Sequence, residues 1–212
     1  MKSTNCDKVY KMNLFIKHPV TIICVFLTIA LCVVYLQVKD HQFKNFDDGF
    51  YVTENSHVLS GLNLENIKWA FTLSDKKGTY WHPLTWASHM VDVQLWGLNA
   101  GRHHLTNLLF HIMNVVLLFF VLRGMTGAVW KSAFVASVFA LHPVNVDTVA
   151  WVAERKNLLS TFFWFLVMLT YLRYTIRPNL MRYLLMVACF IMGLFAKPML
   201  VTMPFVLLLL DY

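Results

Sequence analysis

The chain has 212 residues, 58% of them hydrophobic and only 14% charged, with a mean hydropathy of +0.56. That balance is too apolar for an ordinary soluble domain. A formal charge of +7 with a pI near 9.3 could suit a nucleic-acid binder, but these bases sort by membrane side, so the charge reads as topology and no nucleic-acid partner is expected.

In chain order, the first element is the uncharged run over residues 20–38, close to the ~20 apolar residues that cross a ~30 Å hydrocarbon core. Lys2, Lys8, Lys11 and Lys17 precede it, as in a signal peptide. The run is long for that role, however, and Gln37-Val38-Lys39-Asp40 lacks a small-residue cleavage pattern. It reads as a retained signal anchor, with residues 1–19 cytoplasmic. Residues 39–103 form the one large extracytoplasmic loop. Within it, 64–73 and 84–98 have the pattern of amphipathic helices lying along the interface, marked by Trp69, Phe71, Trp86 and Trp96. Gly61, Gly78, Gly97 and Gly101 punctuate them.

Further spans are expected over 105–122, 128–141, 157–176 and 183–210. The last is broken at Lys197-Pro198, because a proline ends or kinks the helix before it. Two short helices there give about six spans, and one gives five. The fold class expected is an all-α integral membrane protein, a single domain over residues 1–212. The chain stops inside an apolar run, Leu207-Leu208-Leu209-Leu210-Asp211-Tyr212, which reads as truncation of something longer.

With the N-terminus inside, the inner segments hold Lys2, Lys8, Lys11, Lys17, Arg123, Lys131, Arg173, Arg177 and Arg182 against Asp7 and Asp211, so the whole formal +7 falls on that side. Short basic turns near Arg123–Lys131 and Arg173–Arg182 set the orientation. Cys6 is then cytoplasmic and Cys24, Cys32 and Cys189 lie in spans, so none suits an extracytoplasmic disulfide or a zinc site.

Three constellations can carry chemistry. Asp47 and Asp48, in Asn45-Phe46-Asp47-Asp48-Gly49, follow the first span. One carboxylate can act as a general base, or the pair can hold a divalent cation through oxygen ligands. The competing reading is a plain turn in which Gly49 takes a positive φ. Glu54 is a weaker third acid. Second, His104, Asn107, His111 and Asn114 recur at helical spacing on one face. The deeper three suit interhelical hydrogen bonds, whereas His103 and His104, beside Arg102 at the outer mouth, suit substrate contact. Third, the second outer loop carries Asp147, Glu154, Arg155 and Lys156. Arg155 and Lys156 can clamp a phosphate, with Glu154 orienting them, and Lys197 adds a base at the last hairpin. Trp81-His82-Pro83-Leu84-Thr85-Trp86 suits headgroup anchoring or sugar stacking. A phosphate-binding glycine loop, a nucleophile elbow and paired-cysteine or His-Glu-x-x-His metal motifs are missing from the sequence.

The strings FDDGFYVTEN, WHPLTWASHM, HHLTNLLFHIMN, FALHPVNVDTVAWVAERKN and AKPMLVTMPFVLLLLDY resemble the membrane half of the transmembrane and tetratricopeptide-repeat-containing proteins and their bacterial relatives. The match runs in order from Phe46 to Tyr212. Those proteins belong to, or are akin to, the GT-C glycosyltransferases, which resemble the protein O-mannosyltransferases. The resemblance implies a GT-C-like, multi-pass module that takes a mannose-like sugar from a polyprenyl phosphate. It passes the sugar to a protein hydroxyl or a glycan outside the cytoplasm, in a bacterial inner membrane, or in the ER membrane of a eukaryote. The catalytic base would fall on Asp47 or Asp48. Glu154, Arg155, Lys156, His103, His104 and Lys197 would bind the phosphate and substrate. No metal ligand is assigned, and Mg or Mn at the acidic pair is the one cofactor considered. The tetratricopeptide repeats are not in this sequence, and the rival reading is a non-catalytic membrane anchor for such an array.

Overall fold

The computed structural model describes residues 4–72 and 81–211, with side chains from residue 19 onward. Leu73 and Gly78, and the side chains of Cys6 and the N-terminal lysines, lie outside the described residues. Among those residues there are helices and no strands: α1 (Thr4–Tyr35), α2 (Ser56–Leu59), α3 (Leu64–Phe71), α4 (Pro83–Trp96), α5 (Ala100–Thr126), α6 (Val129–Leu141), α7 (Asn145–Ala150), α8 (Arg155–Ile176), α9 (Leu180–Ala196) and α10 (Met203–Asp211).

Three helical stretches are long and apolar enough to cross a bilayer: Pro19–Asp40, Ala100–Thr126 and Val152–Ile176. Val129–Leu141, Leu180–Ala196 and Pro198–Asp211 are apolar but shorter. The protein is therefore an all-α membrane protein, and the six apolar segments correspond to those read from the sequence. The break at Lys197-Pro198 is present: α9 stops at Ala196, and a 3₁₀ turn over Pro198–Thr202 leads into α10.

Local chemistry sets the ends. Asn63, Asn99 and Asn179 cap α3, α5 and α9, each accepting from the backbone N–H three residues on at 2.8–3.1 Å. Pro83 opens α4, where its missing N–H costs nothing. Gly127, at φ 67°, closes α5 in the left-handed region that a side chain disfavours.

Two cores result. The bundle core joins α1, α5, α6 and α8 through Leu27, Leu31, Leu108, Val115, Phe119, Ala136 and Leu158. Outward residues of α1 (Ile22, Phe26, Ile29, Val33) are exposed and apolar, as a lipid-facing surface requires. A second core sits at one end, where Tyr51, Val52, Val58, Ala70, Trp86 and Met90 of the large loop pack on Val152 and Ala153. To that end come the C-terminal ends of α1, α6 and α9 and the N-terminal ends of α5 and α8. The basic turns around Arg123–Lys131 and Arg173–Arg182 lie at the other ends of these helices. The helices expected along the interface are α3 and α4, and α4 is more deeply held, with Thr85, Trp86, His89 and Asp92 buried.

Gly101 sets how closely α5 meets the end of the first span. A Cβ there would lie 2.0 Å from the Lys39 carbonyl oxygen. Backbone cannot yield as a side-chain tip can, so Gly101→Ala is expected to destabilise the protein by about 1–3 kcal/mol. The readout is a lowered thermal midpoint in detergent, with the control Gly124→Ala, where a Cβ meets only the flexible tip of Leu172 at 3.3 Å, nearer to wild type.

Candidate functional site

The two neighbouring aspartates do different things. Asp48 is fully buried. Its Oδ2 accepts from the Lys44 N–H and its Oδ1 from the Ala153 N–H, each at 2.8 Å. It therefore clamps the first loop onto the second. Burial pushes its carboxyl above the usual range, and the two backbone donors and Lys44 oppose that shift. Asp47 instead leaves its side chain 40% exposed, 3.5 Å from Lys156 Nζ. Gly49 does not take a positive φ; it begins a π-helical turn over Gly49–Thr53, so the simple turn reading is corrected.

Lys156 is the hub of a charged chain. It pairs with Glu154 at 2.9 Å and lies 4.8 Å from the centre of the Tyr51 ring. Asn157 donates to Glu154, and Lys197 donates to Asn157. Lys156 and Lys197 open onto a hollow of about 540 Å³, lined also by Trp81, His82, Pro198 and Met199. One wall is cationic and the other apolar. Burial pulls the Lys197 ammonium below its ordinary value; Glu154 opposes this and Lys156 adds to it. His82 hydrogen-bonds Tyr51 Oη through Nδ1 at 2.8 Å. Burial, with help from Lys156 and Lys197, takes the His82 imidazole down to about 4, so it is neutral at physiological pH.

Arg155 does not reach the hollow. It is fully buried, with Nη1 2.5 Å from Asp92 Oδ2. Its Nε donates to Asn107 Oδ1 and its Nη2 to the His103 carbonyl, both at 2.8 Å. The expected phosphate clamp is thus corrected: every part of the guanidinium already has an internal partner. His103 and His104 are also fully buried, bonded to the carbonyls of Gly97 (2.9 Å) and Gln42 (3.3 Å). They sit behind the loop rather than at an open mouth. Asp147 is exposed, 3.9 Å from Lys44, and Glu54 is exposed near Gly49.

The geometry can be set beside known proteins. No protein-family model matches the chain, and no solved structure matches it. Curated relatives do. The chain is 29% identical over 158 residues to Protein O-mannosyl-transferase Tmtc2 of Drosophila melanogaster, covering 71% of this chain and 17% of that protein. It is 28% identical over 134 residues to Protein O-mannosyl-transferase TMTC3 of Homo sapiens, covering 60% and 14%. Against Protein O-mannosyl-transferase TMTC1 of Mus musculus it is 27% identical over 151 residues, covering 68% and 16%. The chain is related to the TMTC proteins. It spans about a sixth of the length of the relatives it matches.

The TMTC-like strings fall mostly on this one end of the fold. Asp47, Glu154, Lys156 and Lys197 are brought together there, while Arg155, His103 and His104 form the packed layer beside them. Sequence reasoning assigned no role to Asn157, the link between Glu154 and Lys197, or to His82, read only within an aromatic stretch. The remaining stripe residues hold helices together: His111 Nε2 donates to the Ala140 carbonyl at 3.1 Å, and Asn114 to that of Leu158 at 3.0 Å.

Two outcomes follow from these contacts. Arg155→Met leaves Asp92 buried without its base, and a loss of about 3–5 kcal/mol is expected in thermal or denaturant unfolding. For His82 the folded value lies below the unfolded one, so its contribution is present above about 6.5 and is lost as pH falls towards about 4. Unfolding midpoints measured across that window should fall with acidification, and less steeply in His82→Gln.

Proposed function

We propose that this chain is the membrane module of a glycosyltransferase that moves a mannose-like sugar from a polyprenyl phosphate to a protein hydroxyl or glycan. The site would face the periplasm in a bacterial inner membrane, or the lumen in an ER membrane. The observation that carries this reading is the adjacency of a half-exposed carboxylate, Asp47, to Lys156 at 3.5 Å, whose ammonium lines a hollow together with Lys197. The names of the relatives supply the reaction class, and the basic turns at the far end of the bundle supply the orientation.

In mechanism, the acceptor hydroxyl approaches Asp47, which takes its proton as the oxygen attacks the anomeric carbon. The bond from that carbon to the lipid phosphate breaks, and negative charge grows on the departing phosphate. Lys156 and Lys197 meet that charge inside a partly dehydrated hollow, where fixed cations count for more than in water. Trp81, Pro198 and Met199 offer the apolar wall that a polyprenyl chain needs beside its phosphate. With one carboxylate at the anomeric centre, a single inverting displacement follows. Glu154 and Asn157 position the two lysines, and Asp48 positions the loop that bears Asp47.

Membranes containing the protein, given radiolabelled polyprenyl-phosphate mannose and a Ser/Thr acceptor peptide, test this. Asp47→Asn should lower transfer by roughly 10²–10⁴-fold, the usual worth of a general base, at unchanged membrane abundance. Asp48→Asn should instead lower the thermal midpoint, because an amide cannot accept from both N–H groups. Wild-type transfer by Asp47→Asn would remove the base assignment and favour a non-catalytic anchor.

A further inference from the structure

We propose that His89 and Asp92 of α4 and His103 of α5 form a binding site for a divalent transition metal of the zinc type, separate from the hollow and independent of the transferase reading. His89 and Asp92 are three residues apart on one face of α4. His89 is fully buried, and neither of its ring nitrogens has a hydrogen-bond partner. A buried imidazole left so is rare unless something unrecorded occupies its nitrogens. His103 donates its Nε2 proton to the Gly97 carbonyl at 2.9 Å. Its Nδ1 is then a lone pair, and that lone pair faces Asp92 Oδ2 at 3.6 Å. Two acceptors so placed repel unless a positive centre lies between them. One ligand atom from each of the three residues lies within 4.8 Å of the others, so a small contraction brings them to tetrahedral spacing around one ion.

The surroundings are those of a metal site. A ligating histidine ordinarily gives its other N–H to a carbonyl or carboxylate, as His103 does to Gly97, and a ligating carboxylate is itself hydrogen-bonded. Asp92 Oδ1 accepts from Thr106 Oγ1 at 3.1 Å. Two imidazoles with one carboxylate leave a fourth position open and suit zinc far better than Mg or Ca, which want oxygen. Arg155 also touches Asp92 Oδ2, at 2.5 Å, and its charge opposes a second cation. Arg155 and Asp92 pair one to one, so the ion's place rests on the two buried imidazoles with unbonded ring nitrogens and on the lone pairs of Asp92 that Arg155 leaves open. The ion would hold α4 against α5 next to Arg155.

The test uses the whole chain, purified in detergent without a polyhistidine tag or chelator. Elemental analysis is expected to find about one equivalent of zinc-type metal per chain, and zinc should restore the thermal midpoint after chelator stripping. His89→Leu forfeits no hydrogen bond, so it should stay folded while its metal falls to background. Thr106→Val, which loosens Asp92, should bind zinc roughly 10–100-fold more weakly. Metal-free wild-type protein whose midpoint zinc does not move overturns the proposal, since a doubly protonated His103 or trapped water then fills the role. Wild-type metal content in His89→Leu overturns it equally.

Discussion

The ion pair between Arg155 and Asp92 governs the end of the bundle where everything else is arranged. A guanidinium removed from water must have its donors occupied, and here they are met from α4 and α5 together. Asp92 supplies the charge, while Asn107 and the His103 carbonyl take further N–H groups. Because α8 begins at Arg155, fixing this side chain fixes where that helix starts. Glu154 and Lys156 then project on either side of an anchored centre, away from the packed layer, and Lys156 lines the hollow. Asn107 extends the same constraint by donating to the Trp151 carbonyl, so the second loop is held just before the turn that Asp48 grips at Ala153. The placement of Asp47 beside Lys156 follows from those two attachments. Such a buried pair adds little net stability relative to an apolar core of the same shape. Its value here is positional.

Electrostatics in the hollow divide the labour between the two outer acids. Glu154 holds Lys156 at 2.9 Å with its side chain only 16% exposed, while Asp47 stands at 3.5 Å and is 40% exposed. The tighter, drier contact keeps the ammonium in place, and the looser one leaves Asp47 more open to solvent. Lys197 is tied through Asn157 to the same glutamate. Two ammonium groups are thus tied to one firmly bound carboxylate, and Asp47 is the second, looser partner of Lys156.

Much of the fold was legible because membrane helices announce themselves through uninterrupted apolar length, and because Pro198, Asn99, Asn179 and Gly127 mark boundaries by local backbone chemistry. The gathering of Asp47, Glu154, Lys156 and Lys197 was legible too, since all four sit at ends of spans that topology places on one side. What the sequence could not convey was direction. Asp47 and Asp48 are identical in type and adjacent, yet one turns outward and the other into a clamp, as consecutive helical positions just before the π-helical turn at Gly49–Thr53. Arg155 and Lys156 look like a doublet of equivalent bases, but consecutive helical residues point about 100° apart, so only one can face the hollow. His89 and Asp92 lay in a segment that read as interfacial, and nothing in its pattern signals that α4 sinks against α5.

The stripe on α5 shows how one periodic motif can serve two purposes. His104, Asn107, His111 and Asn114 are all buried, and each hydrogen-bonds a backbone carbonyl: those of Gln42, Trp151, Ala140 and Leu158 respectively. Carbonyls freed at helix ends or turned outward need a donor when lipid surrounds them, and the stripe supplies donors at successive depths. At the deeper positions that is the whole role, worth about 0.6–1.7 kcal/mol for each contact, and Ala140 marks where the short α6 runs out. Nearer the loop the same residue types meet Asp92 and Arg155, and the contacts change character, because charge requires complete satisfaction where a neutral amide tolerates partial pairing. The sequence repeat is uniform, but its consequences are graded by what the neighbouring helices bring to each depth. The polar demand therefore concentrates at the loop end, where α4, α5 and α8 meet.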